Sequence, residues 1–155
     1  LHPTNIAIGP NGDVFVVETS NFRVQRFTPE GKHVRFYGEV GDTSGKFARP
    51  KGIAIDREGL MHVADAAFQN VQVFDTNTGK LMLAYGQPEK GDGLSLPTAV
   101  RVDYSHMSLF NRFADPKFTI EYLVLVTSQV APNKIDVFGV GKMAGADYSR
   151  VIAPQ

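Results

Sequence analysis

Cysteine is absent from this 155-residue chain. Its absence excludes disulfides, thiolate metal sites, a catalytic thiol and covalent c-type haem attachment, and leaves the cellular compartment open. Neither sign of charge is in excess. The 16 basic and 16 acidic residues cancel and no basic run occurs, so nucleic-acid binding by phosphate neutralisation is not expected. No apolar run approaches the ~20 residues that a membrane helix needs. Ser105, Ser108 and Ser128 lack a Gly-x-Ser-x-Gly elbow, and no glycine run has phosphate-loop form. An initiator methionine and a signal-peptide pattern are lacking too, and Leu1 falls inside a repeat, so the chain reads as a piece of a longer polypeptide. Hydrophobic residues at 43% and charged residues at 21% describe a globular domain with an adequate core.

The chain does contain a repeat. Pro3, Ile6, Ile8, Gly12, Val16, Glu18, Val24, Gln25 and Phe27 stand 47 positions before Pro50, Ile53, Ile55, Gly59, Val63, Asp65, Val71, Gln72 and Phe74. A fixed offset kept at this many positions marks an internal repeat. Within the first unit, short β-branched and aromatic runs (Ile6–Ile8, Val14–Val17, Phe22–Phe27, Lys32–Tyr37) are separated by turn-forming residues such as Pro10-Asn11-Gly12 and Pro29-Glu30-Gly31. This predicts four strands joined by hairpins. The second unit repeats the order at Gly52–Asp56, Leu60–Asp65, Val71–Phe74 and Lys80–Tyr85. A third opens on schedule with Pro97 and Asp103, then breaks register by about 16 residues before Leu123–Val126 and Ile135–Phe138 recover the pattern.

A four-stranded antiparallel meander repeated at this spacing predicts an all-β fold of β-propeller blades, each covering its faces against the next. One propeller fragment is expected over 1–155, with units at about 3–47, 50–96 and 97–141 and an insertion at 104–119. Three units make a partial ring, or half of a six-bladed propeller. The small residue at the centre of Ile53-Ala54-Ile55 suits an inner strand where blades converge. The segments 39–49 and 87–96, rich in Gly, Asp, Lys and Ser, read as exposed excursions, and Gly139–Gly145 reads as a flexible exit.

Pro50-Lys51-Gly52-Ile53-Ala54-Ile55-Asp56, Gly59, Val63-Ala64-Asp65, Asn70–Phe74 and Tyr85-Gly86 resemble the NHL repeat. In the first unit, Glu18-Thr19-Ser20-Asn21-Phe22-Arg23 resembles that family's acidic-x-x-Asn-x-Arg segment. The resemblance implies one blade per repeat and, commonly, six blades of bacterial type to a ring. It also implies a non-catalytic scaffold for protein or polymer partners, in an extracytoplasmic (periplasmic or secreted) assembly. The partner would be another protein, the remaining blades of the same polypeptide, or a second copy completing the ring. The rival implication is a metal-dependent propeller enzyme, lactonase-like or amidating-lyase-like. Its zinc-binding histidines have no counterpart among His2, His33, His62 and His106, and His62 aligns with the apolar Phe15 and Leu125. The second unit departs from the pattern with Phe68 and Asn70, the third with Ser128, so that only Glu18 and Arg23 keep the acid–arginine pair.

The recurring acidic positions Glu18, Asp56, Asp65 and Asp103 read as turn caps and blade ties, with calcium ligation as the functional alternative. No cofactor is expected beyond calcium. The insert concentrates Tyr104, Met107, Leu109, Phe110, Phe113 and Phe118. Its spacing predicts one or two helical turns before Pro116. Aromatic side chains on a loop above a rigid scaffold are partner-binding material, or else a plug folded back over their own blade.

Overall fold

The computed structural model describes residues 2–87, 93–130 and 134–147. The hairpin turns and β-branched runs produce three antiparallel sheets in series. Blade 1 is β1 (Pro3–Ile8), β2 (Val14–Glu18), β3 (Arg23–Phe27) and β4 (His33–Tyr37), paired in chain order. Blade 2 repeats it with β5 (Pro50–Ile55), β6 (Leu60–Asp65), β7 (Asn70–Asp75) and β8 (Leu81–Tyr85). The third sheet holds β9 (Pro97–Asp103), β10 (Phe118–Ser128) and β11 (Ile135–Met143), with β10 between the other two. Repeat equivalence extends to backbone detail. Phe22 and Gln69, 47 apart, both adopt φ of 54°, a left-handed conformation uncommon outside glycine.

Two apolar clusters hold the sheets face to face. Phe15, Val17, Val24 and Tyr37 of blade 1 meet Ile53, Met61, Val63 and Phe74 of blade 2. Ala64 and Val71 of blade 2 meet Val100, Tyr122, Val124 and Val126 of the third sheet. The first strands converge most tightly. A Cβ on Gly52 would stand 2.6 Å from the Ala99 Cα and 2.8 Å from the Val100 nitrogen. The expectation of a small residue where blades converge therefore holds, with Gly52 rather than Ala54 as the closest approach. Gly52→Val is expected to push β5 and β9 apart and to destabilise by about 3 kcal/mol or more. A urea midpoint within error of the wild type would show that the inner strands can yield.

The same geometry leaves one face of blade 1 bare. Ile6, Val16, Gln25 and Phe36 form one cross-strand row, and Ile8, Val14 and Phe27 a second. Their blade 2 equivalents Ile53, Ile55, Met61, Val63 and Phe74 pack in the cluster shared with blade 1. Ile6 is 59% exposed where Ile53 is 5% exposed.

Two expectations are corrected. The segment 39–49 and the described part of 87–96 are not simply exposed excursions, residues 88–92 lying outside the described residues: Phe47 and Leu94, 47 positions apart, are fully buried. Each seats over a glycine that ends the preceding sheet, Phe47 on Gly38 and Leu94 on Gly86. Those glycines combine φ of 72° and 83° with no room for a Cβ, so no other residue fits either place. Nor is Gly139–Gly145 a flexible exit, since residues through Met143 pair with β10 as far as Phe118. A bulge between Ile120 and Tyr122 brings the Thr119 carbonyl against Gly141, where a Cβ would collide with it.

Candidate functional site

The four acidic repeat positions act mainly on backbone and neighbouring side chains. Glu18 accepts from Arg23 Nε at 2.6 Å, and the Arg23 guanidinium lies 4.2 Å over the Phe36 ring. Asp65, at Glu18's place in blade 2, turns instead to the linker and accepts from the Ala48, Arg49, Ala67 and Phe68 amides. Asp103 caps the start of the insert, accepting from the Ser105 and His106 amides and lying 2.7 Å from His106 Nδ1.

Asp56 anchors a buried polar knot at the seam between blade 2 and the third sheet. One of its oxygens caps the β5–β6 turn through the Glu58 and Leu60 amides. The other accepts from Tyr122 Oη at 3.0 Å and faces His62 Nε2 at 3.6 Å, too long for a full hydrogen bond. His62 Nδ1 lies 3.4 Å from Tyr85 Oη, and Nε2 is buried with no other partner. This assigns the imidazole proton to Nε2, pointing at the carboxylate. Tyr104, from the insert, stacks 5.3 Å from Tyr122, accepts the Arg57 amide, and has the Arg57 guanidinium 3.9 Å over its ring. Beside this knot lies a mostly apolar cleft of about 350 Å³, bounded by Val73, Leu83, Tyr85, Tyr122, Phe138 and Val140.

Burial pushes the Tyr85 and Tyr122 hydroxyls well above their usual range, with Asp56 adding to the shift at Tyr122. Both therefore stay protonated donors. Burial alone would raise Asp56, but the approach of His62 and the hydrogen bonds from the Leu60 amide and Tyr122 outweigh it and hold the carboxyl below its usual value. Glu18 behaves likewise: burial opposes its charge, and bonding to Arg23, Asn21 and Gln25 prevails. A carboxylate depressed on folding contributes stability above its unfolded pKa and loses it as pH falls through the folded value. Unfolding free energy is accordingly expected to be flat from pH 7 to about 5 and to fall on further acidification. Asp56→Asn should flatten part of that slope in urea titrations run at successive pH values. Identical slopes in both proteins would remove Asp56 from the account.

The insert forms one helical turn, α1 (Met107–Phe110), running into a 3-10 turn over Asn111–Phe113. Phe110, Phe113, Ala114 and Phe118 border a groove of about 210 Å³ against Ile120, Leu123 and Val137, the face of the third sheet turned away from blade 2. Leu109 and Phe113 nonetheless remain 61% and 72% exposed, while Met107, Phe110 and Phe118 are half-buried. The six aromatic and apolar residues of the insert thus divide: Tyr104 is engaged at the seam, Met107 is half-buried, Phe110 and Phe118 line the groove, and Leu109 and Phe113 are mostly exposed. Among the described residues no three His, Asp or Glu side chains are grouped to hold a metal ion.

A family model described as the NHL repeat matches residues 1–27. Residues 1–27 are thus similar to an NHL repeat. Human NHL repeat-containing protein 3 is 27% identical over 103 residues, which cover 64% of this chain and 29% of that protein. This chain thus spans under a third of the length of that relative. Hydrazine synthase of Kuenenia stuttgartiensis superposes with a TM-score of 0.62 at 16% identity, over 91% of this chain and 34% of that one. Regucalcin of Agrobacterium tumefaciens, titled a calcium-binding protein, superposes with a TM-score of 0.51 at 20% identity, over 84% of this chain and 40% of that one. At these identities the likeness concerns the β-propeller fold alone.

The seam knot was not visible in sequence. His62 reads there as a packed strand histidine, which its burial agrees with, but Tyr122 lies beyond the register break and could not be paired with Asp56. A tyrosine beside the apolar run Leu123–Val126 was the available signal.

Proposed function

We propose that this chain is a non-catalytic NHL-type interaction scaffold that offers its insert to a protein partner. The observation that supports it is the division of the insert: Phe110 and Phe118 pack toward the sheet while Leu109 and Phe113 stand out, with the Arg112 guanidinium 4.7 Å over the Phe113 ring. Apolar side chains held on a short helical turn lose little freedom on binding, and an aromatic beside an arginine is hot-spot material. The partner surface is an apolar pocket with an acidic flank to meet Arg112. Deleting 104–119 would remove Phe118 and Thr119 from β10, so substitution is the cleaner test. Leu109→Ser with Phe113→Ser is expected to change stability by less than about 0.5 kcal/mol. It should also abolish recovery of the partner by the immobilised chain, scored by mass spectrometry against the wild type. Undiminished recovery would remove the case for the insert.

The bare face of blade 1 supports a second contact within the same reading. Its apolar rows match those that blade 2 packs against blade 1, so the surface it fits is another blade, from the same polypeptide or a second copy. Light scattering behind size-exclusion is expected to show self-association of this chain. Ile6→Lys with Ile8→Lys should return it to 17.0 kDa. A stable wild-type monomer would overturn the contact.

A further inference from the structure

Blade 2 contains a cavity at a place that larger side chains occupy in blade 1, and the sequence difference between the copies accounts for it. In blade 1, Arg23 lies over Phe36, and the guanidinium is tied to Glu18. The equivalent of Arg23 is Asn70, and Ala84 takes the place of Phe36, because Gln72 pairs with Ala84 as Gln25 pairs with Phe36. Two large side chains become two small ones. The result is a cavity of about 280 Å³ with Asn70, Gln72 and Ala84 among its lining.

The cavity has a built roof and a distinct chemistry. Gln72 accepts from the Gly45 amide at 2.9 Å and donates to the Lys46 carbonyl at 2.7 Å, which pins the linker above it. Asp42, Thr43 and Ser44 of that linker form the rim, with Gln87, two residues past β8, and Phe68 also lining the space. Asn70 is only 7% exposed, and its Oδ1 is buried with no hydrogen-bond partner. An unpaired buried acceptor costs about 1–3 kcal/mol unless something donates to it.

We propose that this cavity binds a neutral, hydroxyl-rich ligand the size of one sugar ring. The size is set by a volume at the lower end of the ~300–1,000 Å³ common for small-molecule sites. Donors are called for by the Asp42 carboxylate, an acceptor, while Asn70, Thr43, Ser44 and Gln87 can donate or accept. Phe68 supplies a ring for the apolar C–H face of a pyranose. No lysine or arginine lines the space, so an anion has no counter-charge there.

Amide NMR titration of the ¹⁵N-labelled chain tests this, with methyl glucoside, methyl galactoside, methyl mannoside and N-acetylglucosamine each added to about 50 mM, the concentration range a weak single-ring site needs. At least one sugar is expected to give saturable shifts confined to residues 42–45, 68–72 and 84–87. Ala84→Phe, which restores the blade 1 filling, should weaken that binding by about tenfold or more while the remaining spectrum keeps its folded dispersion. Asn70→Arg provides an independent filling should Ala84→Phe not fold. No saturable shift with any of the four sugars would overturn the proposal. So would shifts that map elsewhere, shifts that survive both fillings, or a site that answers only to a primary ammonium such as ethanolamine.

Discussion

Replacing Phe47 by alanine is expected to lower the unfolding free energy by about 3–5 kcal/mol, the range for a buried phenylalanine. Phe47 sits in a segment that looks like linker, yet none of its surface reaches solvent. Its ring packs 5.6 Å from Phe74 and over Gly38, joining the linker to the blade 1–blade 2 cluster. The backbone holds it there, since the Phe47 amide donates to the Glu39 carbonyl and its carbonyl accepts from Gly41. The void left by truncation would be walled by hydrogen-bonded sheet, which collapses poorly, so the cost belongs in the upper part of that range. Leu94→Ala should cost about 2–4 kcal/mol by the same mechanism at the next seam. Val40, 63% exposed in the same linker, is the control. Its replacement by alanine should stay within about 0.5 kcal/mol. At this chain length each kcal/mol lowers the melting temperature by about 2–4 °C, so circular dichroism melts separate the three variants. Equal melting of Phe47→Ala and Val40→Ala would show that Phe47 does not anchor the linker.

The parts of the fold legible in sequence are those that repeat with short range. Hairpins announce themselves through Asn11-Gly12 and Glu58-Gly59, and alternation within six residues identifies a strand. The 47-residue offset then carries strand order from blade 1 to blade 2 with little error. What was missed depends on single residues embedded in polar surroundings. Phe47 and Leu94 stand alone among glycines, lysines and serines, so no periodicity marks them, although their shared offset was there to be read. The continuation of β11 through Gly139 and Gly141 was hidden for a related reason. Glycine normally argues against a strand, and here the bulge at Ile120 requires it. At the candidate sites, the aromatic load of the insert was visible, but which of its side chains turn outward was not. That choice depends on where Leu123 and Val137 lie beneath it. The blade 2 cavity was legible only as a departure: Phe68 and Asn70 break the repeat, and packing decides whether such a break leaves a filled or an open space.

The second large effect is expected at Asp65. Its carboxylate is fully buried and accepts from four backbone amides: Ala48 at 2.8 Å, Arg49 at 3.0 Å, Ala67 at 2.9 Å and Phe68 at 3.1 Å. Two belong to the linker entering blade 2 and two to the turn between β6 and β7, so one side chain fixes both. Alanine would orphan all four, and at about 1–3 kcal/mol per buried donor left unsatisfied, partly relieved by water, a loss of about 3–5 kcal/mol follows. Asparagine keeps the shape but offers one acceptor oxygen and turns an NH₂ toward donors, so Asp65→Asn should destabilise nearly as much. Amide exchange at residues 48, 49, 67 and 68 should accelerate in Asp65→Asn well before global unfolding, because the lost bonds are local. The exchange pattern also bears on the blade 2 cavity, whose roof is the segment just ahead of Ala48 and Arg49. If the carboxylate positions that roof, residues 42–45 should exchange faster in the variant as well. Unchanged protection there, with stability within about 0.5 kcal/mol of the wild type, would mean that Gln72 and Phe47 hold the linker without Asp65. The acidic position would then be an ordinary turn cap, as Asp103 is.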